Sequence, residues 1–258
     1  MSVAIDLNSD LGESFGAWTM GMDEDVMNHI SSSNIACGWH AGDSEVMLRT
    51  VRAAKVRNVA VGAHPGYPDL LGFGRRNMTC TPDELYAYTL YQVGALMGVC
   101  ASEGVELQHV KPHGAMYNQA AKDKKLAEAI ARAVKNLGGD IILMGLANSV
   151  FEEAAEECGV PFAAEAFADR GYMADGSLVP RTQPGAFIHD PNEAAVRMLK
   201  LVQEGIIETP DGQTLKLKAH SICMHGDSHA AVKMAEVVKS TFEKNGVAVK
   251  NLKAILKH

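Results

Sequence analysis

Six segments of this 258-residue chain leave a short apolar run and at once present ionisable side chains beside glycine. One run ends in Asp6-Leu7-Asn8-Ser9-Asp10-Leu11-Gly12-Glu13. The others end in Cys37-Gly38-Trp39-His40-Ala41-Gly42-Asp43, Gly62-Ala63-His64-Pro65-Gly66-Tyr67-Pro68-Asp69, Lys111-Pro112-His113-Gly114, Glu165-Ala166-Phe167-Ala168-Asp169-Arg170 and His225-Gly226-Asp227. Carboxylates and imidazoles exchange protons with a substrate near neutral pH. Lysine and arginine stabilise a developing oxyanion or a phosphate. Each piece alone is weak: Asp10 and Asp43 can simply cap the next helix, Asp43 as readily as not, a lone histidine is more often a hydrogen-bonded structural residue, and Arg75-Arg76 can be a solvated pair. Six run ends of one kind are harder to explain as six independent structural needs.

The elements that must position these residues alternate. Apolar runs at 3–8, 34–37, 59–64, 107–112, 141–145, 161–167 and 221–225 read as strands, several of them apolar throughout, as expected for strands covered on both faces. Helical patterns lie between them at 44–55, 82–102, 122–137, 148–158, 191–203 and 228–245. Thr81-Pro82-Asp83-Glu84 is a capping box with proline at the first helical position. Segment 209–218 reads as a small hairpin. Strand–helix alternation predicts an α/β fold, a parallel sheet with helices outside. Seven strands in about 250 residues suit a closed or nearly closed barrel, with a doubly wound open sheet as the competing architecture. In a parallel barrel all six polar ends fall on one rim, where such folds place their chemistry.

Composition narrows the function. The net charge is -7 and no Lys/Arg stripe occurs, which argues against a nucleic-acid partner. No apolar stretch of about 18 residues predicts a membrane span. Five cysteines without a CxxC spacing suggest neither a zinc ribbon nor a disulfide framework, but reduced thiols in a cytoplasmic protein. The N-terminus enters a strand pattern directly, with no signal-peptide pattern. Searches for GxxxxGK[ST], GxGxxG after a strand, and GxSxG come back empty, so no phosphate loop, dinucleotide site or serine elbow is expected. No composition break divides residues 1–258, which are expected to form a single domain.

The strings quoted above, together with Gly72-Phe73-Gly74-Arg75-Arg76 and His109-Val110-Lys111-Pro112-His113-Gly114-Ala115-Met116-Tyr117-Asn118, resemble the LamB/YcsF family in order along the chain. The resemblance implies a distorted barrel of about seven parallel strands, related to NodB-like deacetylase barrels. It also implies a role as the A subunit of a 5-oxoprolinase. With subunits B and C, that enzyme cleaves 5-oxo-L-proline to L-glutamate while ATP, shared with the partner subunits, is hydrolysed to ADP and phosphate. Trp39, Gly66 and Met116 depart from the expected pattern in shape only; no ionisable position is lost.

Assigned by chemical type, Lys111 with Arg170 stabilises the phosphate or oxyanion. His64 or His113 acts as general base or acid, oriented by Asp10 or Asp169. Asp6, Asn8, Glu13, His40, Asp43, Arg170, His225 and Asp227 hold the substrate. Lys111→Met is then expected to cost rate and leave folding little changed. A divalent metal on Asp10, His40, His64 and His113 is the rival chemistry. It is not favoured, because no HxxxH pair falls on one helix and an ATP-activated reaction does not require a metal here. Two other functions remain: a metal-dependent amidohydrolase or deacetylase acting without ATP, and a non-catalytic lactam-binding subunit. Self-association into a homo-oligomer is left open by the sequence.

Overall fold

The structure is a computed structural model and describes residues 3–225 and 228–256. In chain order the elements are β1 (Ala4–Leu11), α1 (Asp23–Val26), β2 (Ser32–Ala36), α2 (Ser44–Val56), β3 (Ala60–His64), α3 (Pro82–Glu103), β4 (Leu107–Val110), α4 (Gly114–Ala120), α5 (Lys124–Leu137), β5 (Ile142–Leu146) and α6 (Val150–Cys158). There follow β6 (Phe162–Phe167), α7 (Pro191–Glu204), β7 (Ile206–Glu208), β8 (Thr214–Lys216), β9 (Ser221–Cys223), α8 (His229–Lys244), β10 (Ala248–Val249) and α9 (Leu252–Leu256). Strands β1, β2, β3, β4, β5, β6 and β9 pair in parallel in that order, and β9 returns to β1 through Asp6↔Ser221 and Asn8↔Cys223. The barrel is therefore closed, and the open-sheet alternative falls. Strand β10 adds to the lower part of β1 at Ala4 and Ile5. The 209–218 hairpin is present as the antiparallel pair β7–β8.

Alternation decides what each strand shows to each side. Along β1, Leu7 and Leu11 join the apolar cluster shared with the helices, which includes Val51, Leu96, Ile130, Phe151, Met198 and Val238. Asp6, Asn8 and Asp10 alternate with them and turn to the barrel interior. That interior is polar, where many parallel barrels fill it with branched aliphatic side chains. Asn8 Nδ2 donates to Ser221 Oγ at 2.7 Å, Asn34 Nδ2 donates to Asn8 Oδ1 at 2.7 Å, and His109 Nε2 meets Asn34 Oδ1 at 2.7 Å. Gln108 Nε2 donates to Ser32 Oγ at 3.0 Å, and Ser32 donates to Asp6 Oδ1 at 2.7 Å. Burying so many polar groups is tolerable because they satisfy one another. Gly62 admits the network: a Cβ there would lie 2.1 Å from His109 Nε2.

Caps set the helix starts. The capping box at Thr81 forms, with Thr81 N donating to Glu84 Oε2 at 2.7 Å and Glu84 N to Thr81 Oγ1 at 3.2 Å. Asp190 caps α7 ahead of Pro191. The helix expected over 122–137 begins instead at Lys124, behind the Asp123 cap, and the short α4 precedes it. Among the described residues no helix is long and apolar enough to cross a membrane.

Candidate active site

The C-terminal ends of β1, β4, β6 and β9 meet around one ammonium group. Lys111 Nζ lies 2.9 Å from Asp10 Oδ1, 2.8 Å from Glu165 Oε1 and 3.2 Å from Cys223 Sγ. Asn8 Oδ1 lies 3.4 Å from the same nitrogen, and the residue is 2% exposed. Burial works against the charge, but Asp10, the Cys223 sulfur and Glu165 hold the Lys111 pKa well above its ordinary value. Burial also opposes ionisation of Asp10, yet His64 and Lys111 keep that carboxyl well below the usual range. Glu165 Oε2 accepts from the Tyr117 hydroxyl at 2.7 Å.

Beside this cluster three imidazoles converge. His64 Nδ1 lies 2.7 Å from the Lys111 carbonyl and His113 Nε2 lies 2.8 Å from the Phe73 carbonyl. A carbonyl only accepts, so each of these nitrogens carries the hydrogen. The opposite nitrogens, His64 Nε2 and His113 Nδ1, then face each other at 2.9 Å. In neutral rings both are lone pairs, and Asp10 Oδ2 sits 3.3 Å from the first of them. His40 stacks on His113 with ring centroids 3.8 Å apart, and among the described residues neither of its ring nitrogens has a hydrogen-bond partner. Glu13 Oε1 lies 3.8 Å from His40 Nε2 and 3.9 Å from His113 Nδ1. Burial, then the charge of Asp10, pushes Glu13 up to about 7. Gly74, at φ 63°, lets the 69–76 loop close over this stack; a Cβ would come within 2.8 Å of both His113 and His40.

Donor atoms of Glu13, His40, His64 and His113 all lie within 4.8 Å of one another. Converging lone pairs with no proton to share, plus an unpartnered buried imidazole, fit a divalent cation, and the nitrogen–oxygen donor set suits zinc and similar ions. Glu13 takes the place that sequence reasoning gave to Asp10.

Across the rim, His225 Nδ1 is hydrogen-bonded to Asp169. Burial disfavours its cation, but the Asp169 carboxylate raises its pKa overall, and Asp169 is lowered in turn by His225 against its own burial. Asp10, His64, Lys111, His113, Arg170 and His225 line one cleft of about 860 Å³. Asp10, Glu13, His40 and His225 also line an adjoining lobe of about 660 Å³. Asp169 joins through His225.

Other expected site residues fall elsewhere. Asp43 caps α2 through Glu45 N and Val46 N and accepts from Gly16 N. Asn8 and Asp6 lie in the barrel interior below the cleft and are fully buried. Asp227 lies outside the described residues. Sequence reasoning noted Glu165 at its run end and Tyr117 in a family string but gave them no role, and it passed over Cys223 as a site residue. A carboxylate inside the otherwise apolar run Phe162–Phe167 was the available signal for the first.

Asp6 makes a testable structural group. Burial pushes its carboxyl up to about 6, against the opposing hydrogen bonds from Ser221, Ser31 and Ser32. The unfolded chain therefore loses this proton at lower pH than the folded chain does. Its contribution is complete below about pH 4 and is lost as pH rises through 6, roughly 3 kcal/mol in all. Asp6→Asn lacks this loss, so its stability relative to wild type should improve by about that amount between pH 4 and pH 7. Urea unfolding at both pH values checks it; a constant difference between the two proteins rejects the assignment.

With this geometry in hand, the comparisons with known proteins are decisive on kinship. Residues 5–257 match the LamB/YcsF family. The chain belongs to the LamB/YcsF family. A relative from Alkaliphilus metalliredigens, named as the A subunit of 5-oxoprolinase, is 52% identical over 253 residues, covering 98% of this chain and 99% of the relative. A Bacillus subtilis protein of the same name is 49% identical and covers 95% of each chain. The crystal structure of a lactam utilization protein from Thermus thermophilus superposes at TM-score 0.91 with 46% identity, over 96% of this chain and 99% of that one. This LamB/YcsF chain also aligns with a family 4 carbohydrate esterase from Streptomyces lividans, at TM-score 0.48 and 10% identity. At that distance the likeness says nothing about chemistry.

Proposed function

We propose that this chain is the ring-opening component of a cytoplasmic, ATP-dependent 5-oxoprolinase and works with partner subunits B and C to convert 5-oxoproline to glutamate. One observation carries the reading. The buried Asp10–Lys111–Glu165 cluster floors a cleft that also presents His64, His113 and His225, in a chain that matches proteins named as the A subunit of 5-oxoprolinase over nearly its whole length.

The chemistry required is water attack on a resonance-stabilised lactam. Phosphorylation of the carbonyl oxygen by ATP makes the carbon electrophilic and supplies a leaving group. The nucleotide site is assigned to the partners, since this sequence has no phosphate loop. Within the cleft, Asp10 Oδ2 is the base that takes a proton from water, while Lys111 keeps Asp10 ionised. His225, its pKa raised by the Asp169 carboxylate, delivers a proton to the ring nitrogen as the carbon–nitrogen bond breaks, and the acyl phosphate left behind is hydrolysed by a second water to glutamate and phosphate. Lys111 is enclosed by protein acceptors and acts through Asp10, while Arg170 uses Nε and one terminal nitrogen on the Ala186 and Val179 carbonyls and lines the cleft with the rest of its guanidinium as helper.

The imidazole cluster favours a metal-assisted version of this reaction over the metal-free one. Glu13, His40, His64 and His113 would hold the ion, which would supply Lewis acidity to the lactam carbonyl.

Two measurements test the reading. The purified chain should bind about one equivalent of zinc in calorimetry, and a His64→Ala/His113→Ala variant should bind at least about tenfold more weakly; equal binding by the two removes the ion from this cluster. Mixed with subunits B and C, the chain should release glutamate from 5-oxoproline only with ATP, and little alone. Rapid ATP-independent hydrolysis of amides or acetylated sugars by the isolated chain, stopped by a chelator, would replace this reading with the amidohydrolase one.

A further inference from the structure

A 5-oxoproline molecule carries a carboxylate, and its activated form carries a phosphoryl group as well. Of the groups first expected to hold such an anion, Lys111 is enclosed and Arg170 is partly engaged. Lys111 is enclosed by Asp10, Glu165 and Cys223. Arg170 is 6% exposed, with Nε donating to the Ala186 carbonyl at 3.0 Å and a terminal nitrogen to the Val179 carbonyl at 2.6 Å.

Two other guanidinium groups line the same cleft, Arg75 and Arg181, and both residues are exposed. Each lies over an aromatic ring: Arg75 is 4.9 Å from the Phe73 centroid and Arg181 is 5.3 Å from that of Phe187. Among the described residues neither pairs with a carboxylate, whereas the adjacent Arg76 is paired with Asp69. The ring attracts the cation, and a guanidinium not bound to protein acceptors keeps the N–H edge that holds a carboxylate or phosphate in a fork.

The backbone under both is tied by hydrogen bonds. Asp69 accepts from Arg76, Gly74 N donates to the Asp69 carbonyl at 2.9 Å, and Ala115 N donates to the Gly74 carbonyl at 2.9 Å. The excursion carrying Arg181 is tied by Arg170 and by Val179 N to the Gly171 carbonyl at 2.9 Å, Gly171 N to the Ala186 carbonyl at 3.1 Å and Ile188 N to the Asp169 carbonyl at 2.9 Å. Two like charges held at one mouth repel unless an anion lies between them or beside them.

We propose that Arg75 and Arg181 are the oxyanion-binding pair of the cleft, holding the substrate's carboxylate or the phosphoryl group it receives above the Asp10–Lys111 floor. The proposal rests on the lactam-opening reading for the identity of the substrate, and on the geometry alone for the anion.

Calorimetry on the full chain tests it with three probes: 5-oxoproline, 2-pyrrolidinone (the same ring without the carboxylate) and inorganic phosphate. Arg75→Ala and Arg181→Ala should each weaken at least one anionic probe about tenfold or more, with Arg→Lys recovering only part. Loss confined to 5-oxoproline assigns the pair to the carboxylate, and in the assembled enzyme KM should then rise with kcat little changed. Loss confined to phosphate assigns it to the phosphoryl group, and kcat should fall. Unchanged binding of both anions in both variants, or no anion binding by the wild-type chain, overturns the proposal. If anion binding is lost in the variants while the wild-type assembly releases no glutamate from 5-oxoproline and ATP, the pair stands and the lactam reading falls.

Discussion

Lys111→Met should destabilise the folded chain by about 3–5 kcal/mol, the cost of breaking a buried ion pair from one side. The sequence alone placed the effect of this change on rate. Burial moves much of it onto the fold, because the ammonium separates two carboxylates, Asp10 and Glu165, that methionine would leave facing each other in the barrel. For a chain of this size that corresponds to a fall in Tm of roughly 6–20 °C. Turnover of the assembled enzyme should drop at least about a hundredfold as Asp10 loses the charge that keeps it ionised. Adding Glu165→Gln removes one of the stranded charges and should recover part of the stability; Gln can still accept from Tyr117. A single variant that melts with the wild type would mean the ammonium does not hold the two carboxylates together.

Asp10→Asn separates chemistry from folding. Glu165 remains to neutralise Lys111, so the Tm should stay close to wild type. The side chain can no longer take a proton from water, and kcat of the complete enzyme with its B and C partners should fall by about 10²–10⁴ with KM little moved. If the variant retains a tenth or more of wild-type turnover, another group is the base, and Glu13, in the adjoining lobe, is the next to replace.

The barrel was legible because buried parallel strands are short apolar runs with caps between them. All seven runs became barrel strands, and the Thr81 box and the Asp43 and Asp190 caps start their helices. What escaped notice was short or local: β10 has two residues, α1 has four and α9 has five, too few for a periodic signal. The rim position of Asp10, His64, Lys111, His113 and His225 was readable from where each run stops. Their partners were not. Glu165 sits inside a strand, and only closure of the barrel sets it opposite Lys111. Which cation donors stay free depends on distant carbonyls: the 171–188 excursion engages two of the three Arg170 nitrogens, and Arg75, which looked idle, stands at the cleft.

Barrel closure through Asp6↔Ser221 and Asn8↔Cys223 has a kinetic consequence. Partners more than two hundred positions apart give this fold a high contact order, and such pairings form late and slowly. At about 5–20 residues per second, ribosomal synthesis leaves Asp6 and Asn8 without their β9 neighbours for roughly ten seconds or more. The helices can condense in that interval, but β1 and β6 remain open edges whose ladder groups invite pairing with another nascent chain. The last strand to arrive both shuts that edge and brings His225 to the rim, so catalytic competence and protection from aggregation should appear in the same folding step.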